Sequence, residues 1–171
     1  MNKKLLVTIC LFLATVGITA ANDVKTAQGL AQRILQDKSK NIVFKKIPAG
    51  KDIFSIESRN GKIIVSGNNA NSMAVGLNYY LKNYCHTEIS WYQNEPIDLP
   101  ASLPTVDKKI SIDAKLPMRF FLNYCTYGYS LPWWTWKDWE RMIDWMALNG
   151  VNMPLACTGQ ESTWYNVWKK F

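Results

Sequence analysis

The sequence predicts an α/β protein in two parts: a small N-terminal α/β sandwich, then the first two βα units of a parallel α/β fold. Three observations carry this prediction. Helical and alternating apolar patterns follow one another through residues 24–84 around an Asn60-Gly61 turn. Pro96, Pro100, Pro104 and Pro117 then punctuate a stretch with little pattern of its own. Beyond Pro117, two apolar runs alternate with helical stretches, the order of βα units.

The first residues form a targeting signal. Met1-Asn2-Lys3-Lys4 is a short basic start, and Leu5 to Ile18 is an apolar run too short to span a bilayer comfortably. Thr19-Ala20-Ala21 supplies small residues for cleavage after Ala20 or Ala21. Cys10 lies inside the apolar run and not at a lipidation site, and no second long apolar run follows. The expectation is export, to the periplasm or beyond, without a membrane anchor.

Residues 22–116 make the first domain. Val24, Ala27, Leu30, Ala31, Ile34 and Leu35 form a helical stripe within Val24 to Gln36. Asn41 to Lys46 reads as a short strand. Asp52 to Ser58 alternates apolar and polar residues, Asn60-Gly61 suits a type I′ turn, and Lys62 to Ser66 returns, so this is a hairpin. Gly67 to Asn71 offers caps for a helix whose face carries Met73, Leu77, Tyr80, Leu81 and Tyr84. From Asn94 to Pro117 the prolines predict a stiff linker with one strand at Lys109 to Asp113.

Residues 117–171 begin a second domain. Arg119 to Tyr124 (RFFLNY) is a nearly continuous apolar run, as expected of a strand covered on both faces. Trp136 to Asn149 is helical, with Trp136, Trp139, Ile143 and Met146 on one face and Gly150 as a C-terminal stop. Val151 to Ala156 is a second short strand, and Ser162 to Lys170 opens another helix. A (β/α)8 TIM barrel needs about 250 residues. About 55 remain from Pro117, so a barrel begun here is incomplete.

Composition narrows the chemistry. Removing Lys3 and Lys4 from the 20 basic residues leaves 18 against 13 acidic ones, a net of +5. The excess is scattered from Lys25 to Lys51 and reads as a solvated basic face, with no nucleic-acid-binding motif. His86 is the single histidine, which argues against a histidine-rich metal site and a Ser-His-Asp triad. Cys85, Cys125 and Cys157 have no metal-ligand or redox spacing and allow at most one internal disulfide. The sequence carries no signal of oligomeric state.

Seven of the eight tryptophans, Trp133, Trp134, Trp136, Trp139, Trp145, Trp164 and Trp168, fall after Pro117. Interspersed with amides, indoles at this density suggest a sugar-binding cleft. In βα barrels the active site lies at the C-terminal ends of the strands. That rule selects Asn123-Tyr124-Cys125 and Cys157-Thr158-Gly159-Gln160-Glu161. Amide groups can hydrogen-bond sugar hydroxyls or an N-acetyl group, and aromatic faces can stack on a pyranose ring. Trp136, Trp139 and Trp145 read as helix packing, while Trp133 and Trp134 could serve either the loop or the pocket. Asp138, Glu140 and Asp144 read as a solvated or salt-bridged helix face.

These residues carry a resemblance. Asn123-Tyr124-Cys125-Thr126, Tyr129-Ser130 ahead of Trp133-Trp134 and Trp136, the helix WERMIDWMALNG, and Gly159-Gln160-Glu161 followed by Trp164 occur in this order over roughly fifty residues. The pattern closely resembles the α-N-acetylglucosaminidases, glycoside hydrolase family 89, whose barrel also follows a small α/β domain. The resemblance implies exo-cleavage of terminal α-linked N-acetylglucosamine from glycans, with retention and without metal or organic cofactor. A retaining mechanism uses two carboxyl groups about 5–5.5 Å apart. The resemblance implies that both are glutamates on later barrel strands, beyond Phe171, so the 171 residues alone are expected to be inactive. It also implies that Asn123 and Cys125 line the sugar pocket. Tyr124, Gln160 and Glu161 are further candidates. Glu161 stays open between a helix-start role favoured by the dipole and direct substrate contact, with the first preferred. The rival reading is a non-catalytic glycan-binding module.

Overall fold

The computed structural model describes residues 22–93, 95–123, 125, 128–129, 131–156 and 160–171, Gln160 by its backbone only. A helix, α1, runs over residues 22–35 and tightens into a 3-10 turn at Gln36–Asn41. β1 (Ile42–Lys46), β2 (Ile53–Arg59) and β3 (Lys62–Gly67) follow, then α2 (Ala70–Asn83) and β4 (Ile110–Asp113). The sheet order is β1-β3-β2-β4. β1 runs parallel to β3, whereas β2 is antiparallel to both β3 and β4.

Local chemistry explains these elements. Asn60 and Gly61 both hold positive φ, 52° and 70°, as the tight turn between β2 and β3 requires. Asn69 caps α2, its side-chain oxygen accepting from the Ser72 N–H at 2.8 Å. Alternation along the strands turns Ile42, Phe44, Phe54, Ile56, Ile63 and Val65 to one face, where they share a core with Ala27, Leu30, Ala31 and Leu35 of α1 and Met73, Leu77, Tyr80 and Leu81 of α2. Two helices on one sheet face make the sandwich.

The proline-rich stretch does more than tether. Val106 is buried in the core, and Ile97, Leu99, Leu103 and Ile110 pack against it. Tyr80 donates its hydroxyl to the Pro104 carbonyl at 2.7 Å, and the Ser58 hydroxyl accepts from the Val106 N–H at 2.7 Å. β4 adds the outer strand beside β2. The expected linker, with its one strand, is therefore a strap laid across the small domain. Prolines fix its extended shape, while the apolar residues between them bind it down.

The second part contains β5 (Phe120–Phe121), α3 (Trp136–Leu148), β6 (Met153–Pro154) and α4 (Gln160–Trp168). β5 and β6 pair in parallel, Phe120 opposite Met153 and Phe121 opposite Pro154. These are two successive βα units. Both strands are shorter than expected, and Phe120, predicted to be covered, is 61% exposed. Its only sheet neighbour among the described residues is β6.

α3 starts at Thr135, whose N–H and hydroxyl both meet Asp138 Oδ2, and stops at Gly150 with φ of 76°. Its buried residues are Met142, Asp144, Met146 and Leu148. This shifts the expected face: only Met146 is shared with the Trp136-Trp139-Ile143-Met146 stripe, and Trp136 and Ile143 are exposed. The cause is tertiary. α3 lies against α2 and contacts α1, and those neighbours select a different strip of its surface.

Candidate functional site

Parallel pairing puts the C-terminal ends of β5 and β6 side by side. The Leu155 N–H donates to the Phe121 carbonyl at 3.1 Å, carrying the pairing to the point where both chains turn into their loops. Leu122 leaves β5 with φ of 96°, a backbone state unfavourable for a side chain of its kind, and hands the chain to Asn123. Asn123 is exposed and its Oδ1 accepts from the Cys125 N–H at 2.9 Å, closing a tight turn after the strand. Cys125 is half-buried with a free thiol. Glu161 is exposed in the first turn of α4, where a carboxylate suits the positive end of the helix dipole. Tyr124, Cys157 and the Gln160 side chain lie outside the described residues.

Asn123 and Cys125 thus follow the C-terminal end of β5, and Glu161 opens the helix that comes after β6 in the chain. Asn123 carries an amide and Glu161 a carboxylate, both exposed and both able to hydrogen-bond a polar ligand. Among the described residues no cluster of His, Cys, Asp or Glu could hold a metal ion.

The tryptophans divide by environment. Trp145 of α3 meets Trp91 edge-on at 4.3 Å and Phe121 at 5.2 Å, and Trp134 meets Trp139 edge-on at 5.2 Å. These are packing contacts. Trp133, Trp136, Trp164 and Trp168 are exposed, so Trp136 does not pack the helix as expected. Trp91, outside the tryptophan-rich block, is the indole that ties the small domain to β5 and α3.

Polar residues lock the two parts together, and sequence reasoning missed most of them. The Arg119 guanidinium donates to Asp52 Oδ2 and the Gly150 carbonyl, each at 2.5 Å, to the Leu116 carbonyl at 2.7 Å and to Asn71 Oδ1 at 3.4 Å. Its own carbonyl accepts from the N–H groups of Asn152 and Met153 at 3.2 Å. Burial pushes the Asp52 carboxyl upward, but hydrogen bonds from Arg119, Asn69 and Asn68 outweigh it and hold the group below the usual carboxylate range. Asn78 donates to the Leu148 carbonyl at 2.9 Å in a buried bond. Arg33 of α1 grips Asp144 through two bonds of 2.6 and 2.7 Å. The reading of Asp144 as salt-bridged holds, but its carboxylate is buried between helices and not solvated. An arginine at the mouth of an apolar run was the available signal for Arg119, since such a charge needs partners; the sequence did not say which.

Asp52, Phe54, Val75, Ile112, Arg119 and Gly150 also line an apolar cleft of about 160 Å3. Arg119 precedes β5 and Gly150 precedes β6, so this cleft opens at the N-terminal ends of the strands. In βα barrels that end serves stability, and catalysis takes the other.

Comparison with known proteins agrees with this layout. Residues 25–105 match the α-N-acetylglucosaminidase (NAGLU) N-terminal domain, and residues 119–171 match the TIM-barrel domain of the same family. Human α-N-acetylglucosaminidase is 38% identical over 120 residues, covering 70% of this chain and 16% of the human protein. A family 89 glycoside hydrolase from Clostridium perfringens, solved with 2-acetamido-1,2-dideoxynojirmycin, superposes with a TM-score of 0.84 at 30% identity. The match covers 94% of this chain and 19% of that one. A variant from the same organism, solved with its substrate GlcNAc-α-1,4-galactose, gives a TM-score of 0.83 at 30% identity, covering 94% and 18%. The chain therefore spans under one fifth of the length of these relatives. With the small domain and the opening of the barrel both matched in order, the chain belongs to the α-N-acetylglucosaminidase family, glycoside hydrolase family 89.

Proposed function

We propose that this chain is the N-terminal part of an exo-acting, retaining glycosidase that releases terminal α-linked N-acetylglucosamine from glycans. The carrying observation is the paired match of small domain and barrel opening to one family, in the order that family uses. In this reading Asn123 and Cys125, at the C-terminal end of β5, line the sugar pocket, with Tyr124, Gln160 and Glu161 beside them. The two catalytic carboxyl groups belong to barrel strands outside the 171 residues, and the chain alone is inactive. The mechanism calls for no metal or organic cofactor. The basic start and apolar run of residues 1–21 support export. No helix among the described residues is long and apolar enough to cross a membrane.

The test has two arms. The 171-residue chain and the longest reading frame that contains it are assayed with a chromogenic α-N-acetylglucosaminide. Hydrolysis by the longer protein and none by the chain is expected. Turnover by the isolated chain would overturn the placement of the carboxyl groups. Inactivity of both, with retained binding of N-acetylglucosamine, would favour the glycan-binding module.

A further inference from the structure

We propose that Leu122 is a positioning residue, whose left-handed backbone turns Asn123 away from the helix layer at the C-terminal end of β5. This inference rests on the reading above, in which Asn123 lines the sugar pocket. It adds the device that presents the amide there.

The backbone itself singles this residue out. Among the described residues, four that are not glycine have positive φ. Gln36, Asn60 and His86 lie at 51°, 52° and 53°, inside the small left-handed well, and all three carry polar side chains. Leu122 lies at 96°, outside that well, and its apolar side chain cannot hydrogen-bond the nearby backbone in compensation. Such a state persists only where the surroundings fix the chain on both sides of it. Upstream, Phe121 pairs with Pro154, its carbonyl accepts from the Leu155 N–H at 3.1 Å, and its ring meets Trp145 at 5.2 Å and Trp91 at 5.9 Å. Downstream, Asn123 Oδ1 accepts from the Cys125 N–H at 2.9 Å.

Strand geometry says what this turn accomplishes. Side chains two residues apart on an extended chain share a face. An extended Leu122 would therefore send Asn123 after Phe121, into the aromatic layer of Trp91 and Trp145 beside α3. That layer is apolar and offers an amide few partners. The positive φ ends the alternation at Leu122, and Asn123 is exposed. The backbone of Leu122, and not its side chain, thus frees the amide for a ligand at the strand end.

The experiment separates backbone from side chain. The longest reading frame that contains this chain is assayed as the parent and as Leu122→Gly, Leu122→Ala and Leu122→Ile, with KM and kcat measured for a chromogenic α-N-acetylglucosaminide. Glycine accepts a φ of 96° freely, the Cβ of alanine opposes it, and β-branched isoleucine keeps the volume of leucine but resists that φ most strongly. Leu122→Ile should raise KM about tenfold, the loss of one hydrogen bond to the sugar, with kcat little changed. Leu122→Gly should be the mildest of the three, although it removes the whole side chain. Amide exchange at Cys125 in the 171-residue chain reads the same turn without substrate and should follow the same order. A side-chain packing role requires the reverse, with isoleucine near the parent and glycine no better than alanine, and that order would overturn the proposal. The comparison of glycine with alanine decides the matter even if Leu122→Ile fails to fold. An inactive parent would overturn the glycosidase reading and the role of Leu122 together, whereas an active parent with the reverse order would overturn the role alone.

Discussion

Replacing Arg119 by methionine keeps an unbranched stem and removes every guanidinium contact between β5 and the small domain. The Asp52 bond is charge-assisted, and both side chains are about one-fifth exposed (21% and 22%), so the lower end of the range applies, about 1.5 kcal/mol. The bonds to the Gly150 and Leu116 carbonyls add about 0.5–1 kcal/mol each. Asp52 keeps the amide donors of Asn68 and Asn69 at 3.4 and 2.8 Å, which limits the penalty for losing its cation. The expected loss is about 3 kcal/mol, roughly two orders of magnitude in the folding constant. Denaturant unfolding of the parent, Arg119→Met, Asp52→Asn and the double variant isolates the pair, with a coupling of about 1 kcal/mol or more expected. Amide exchange at Leu155, which depends on the β5–β6 pairing, should accelerate in Arg119→Met. Additive single losses, or a cost for Arg119→Met below about 1 kcal/mol, would refute Arg119 as the lock between the two parts.

Three further outcomes follow from the same contacts. Asp144→Ala removes a carboxylate with 12% side-chain exposure; because its partner Arg33 is 43% exposed and can return to water, the cost should be about 1.5–2 kcal/mol and should shrink at high salt. Gly76→Ala places a Cβ 2.8 Å from Val65 Cγ1 and 3.2 Å from Phe54 Cβ, so a lower melting temperature, equivalent to about 1–2 kcal/mol, is expected despite the better helix propensity of alanine. Asp52 is held below its unfolded value, near 3.9, so the unfolded chain binds the proton first on acidification. Its stabilisation is complete above about pH 4 and is lost as pH falls through the folded value; Asp52→Asn should be less stable than the parent at neutral pH, and the gap should close in acid.

Elements defined by local pattern were legible. α1, the hairpin and α2 announce themselves by periodicity, an Asn-Gly pair and an Asn cap, and each forms close to where those signals put it. In the strap the strand at Lys109 to Asp113 was legible and forms β4, but prolines resemble a linker locally, and the pairing of β4 with β2 and the entry of Val106 into the core are decided by chain far upstream. α3 shows the same limit. Its apolar residues cover too much of its circumference to name one face, and α2 and α1 make the choice. At the candidate site, barrel logic selects the segments that follow β5 and β6, which hold Asn123, Cys125 and Glu161. The Arg119 and Arg33 contacts stayed hidden, because a lone arginine does not name an acceptor that lies 67 or 111 residues away.

The bond between Arg33 and Asp144 spans 111 residues, so it also bears on the order of assembly during synthesis. At about 5–20 residues per second, a ribosome takes on the order of ten seconds to make that interval. In its later part, after β3 and α2 have emerged, α1 has its sheet-facing core partners but lacks the carboxylate that anchors its outer side. The small domain therefore matures in two stages, a core that can close once β3 and α2 emerge and a helix pinned only when α3 arrives. A nascent chain stalled before Asp144 should leave α1 the most protease-sensitive part of an otherwise assembled sheet.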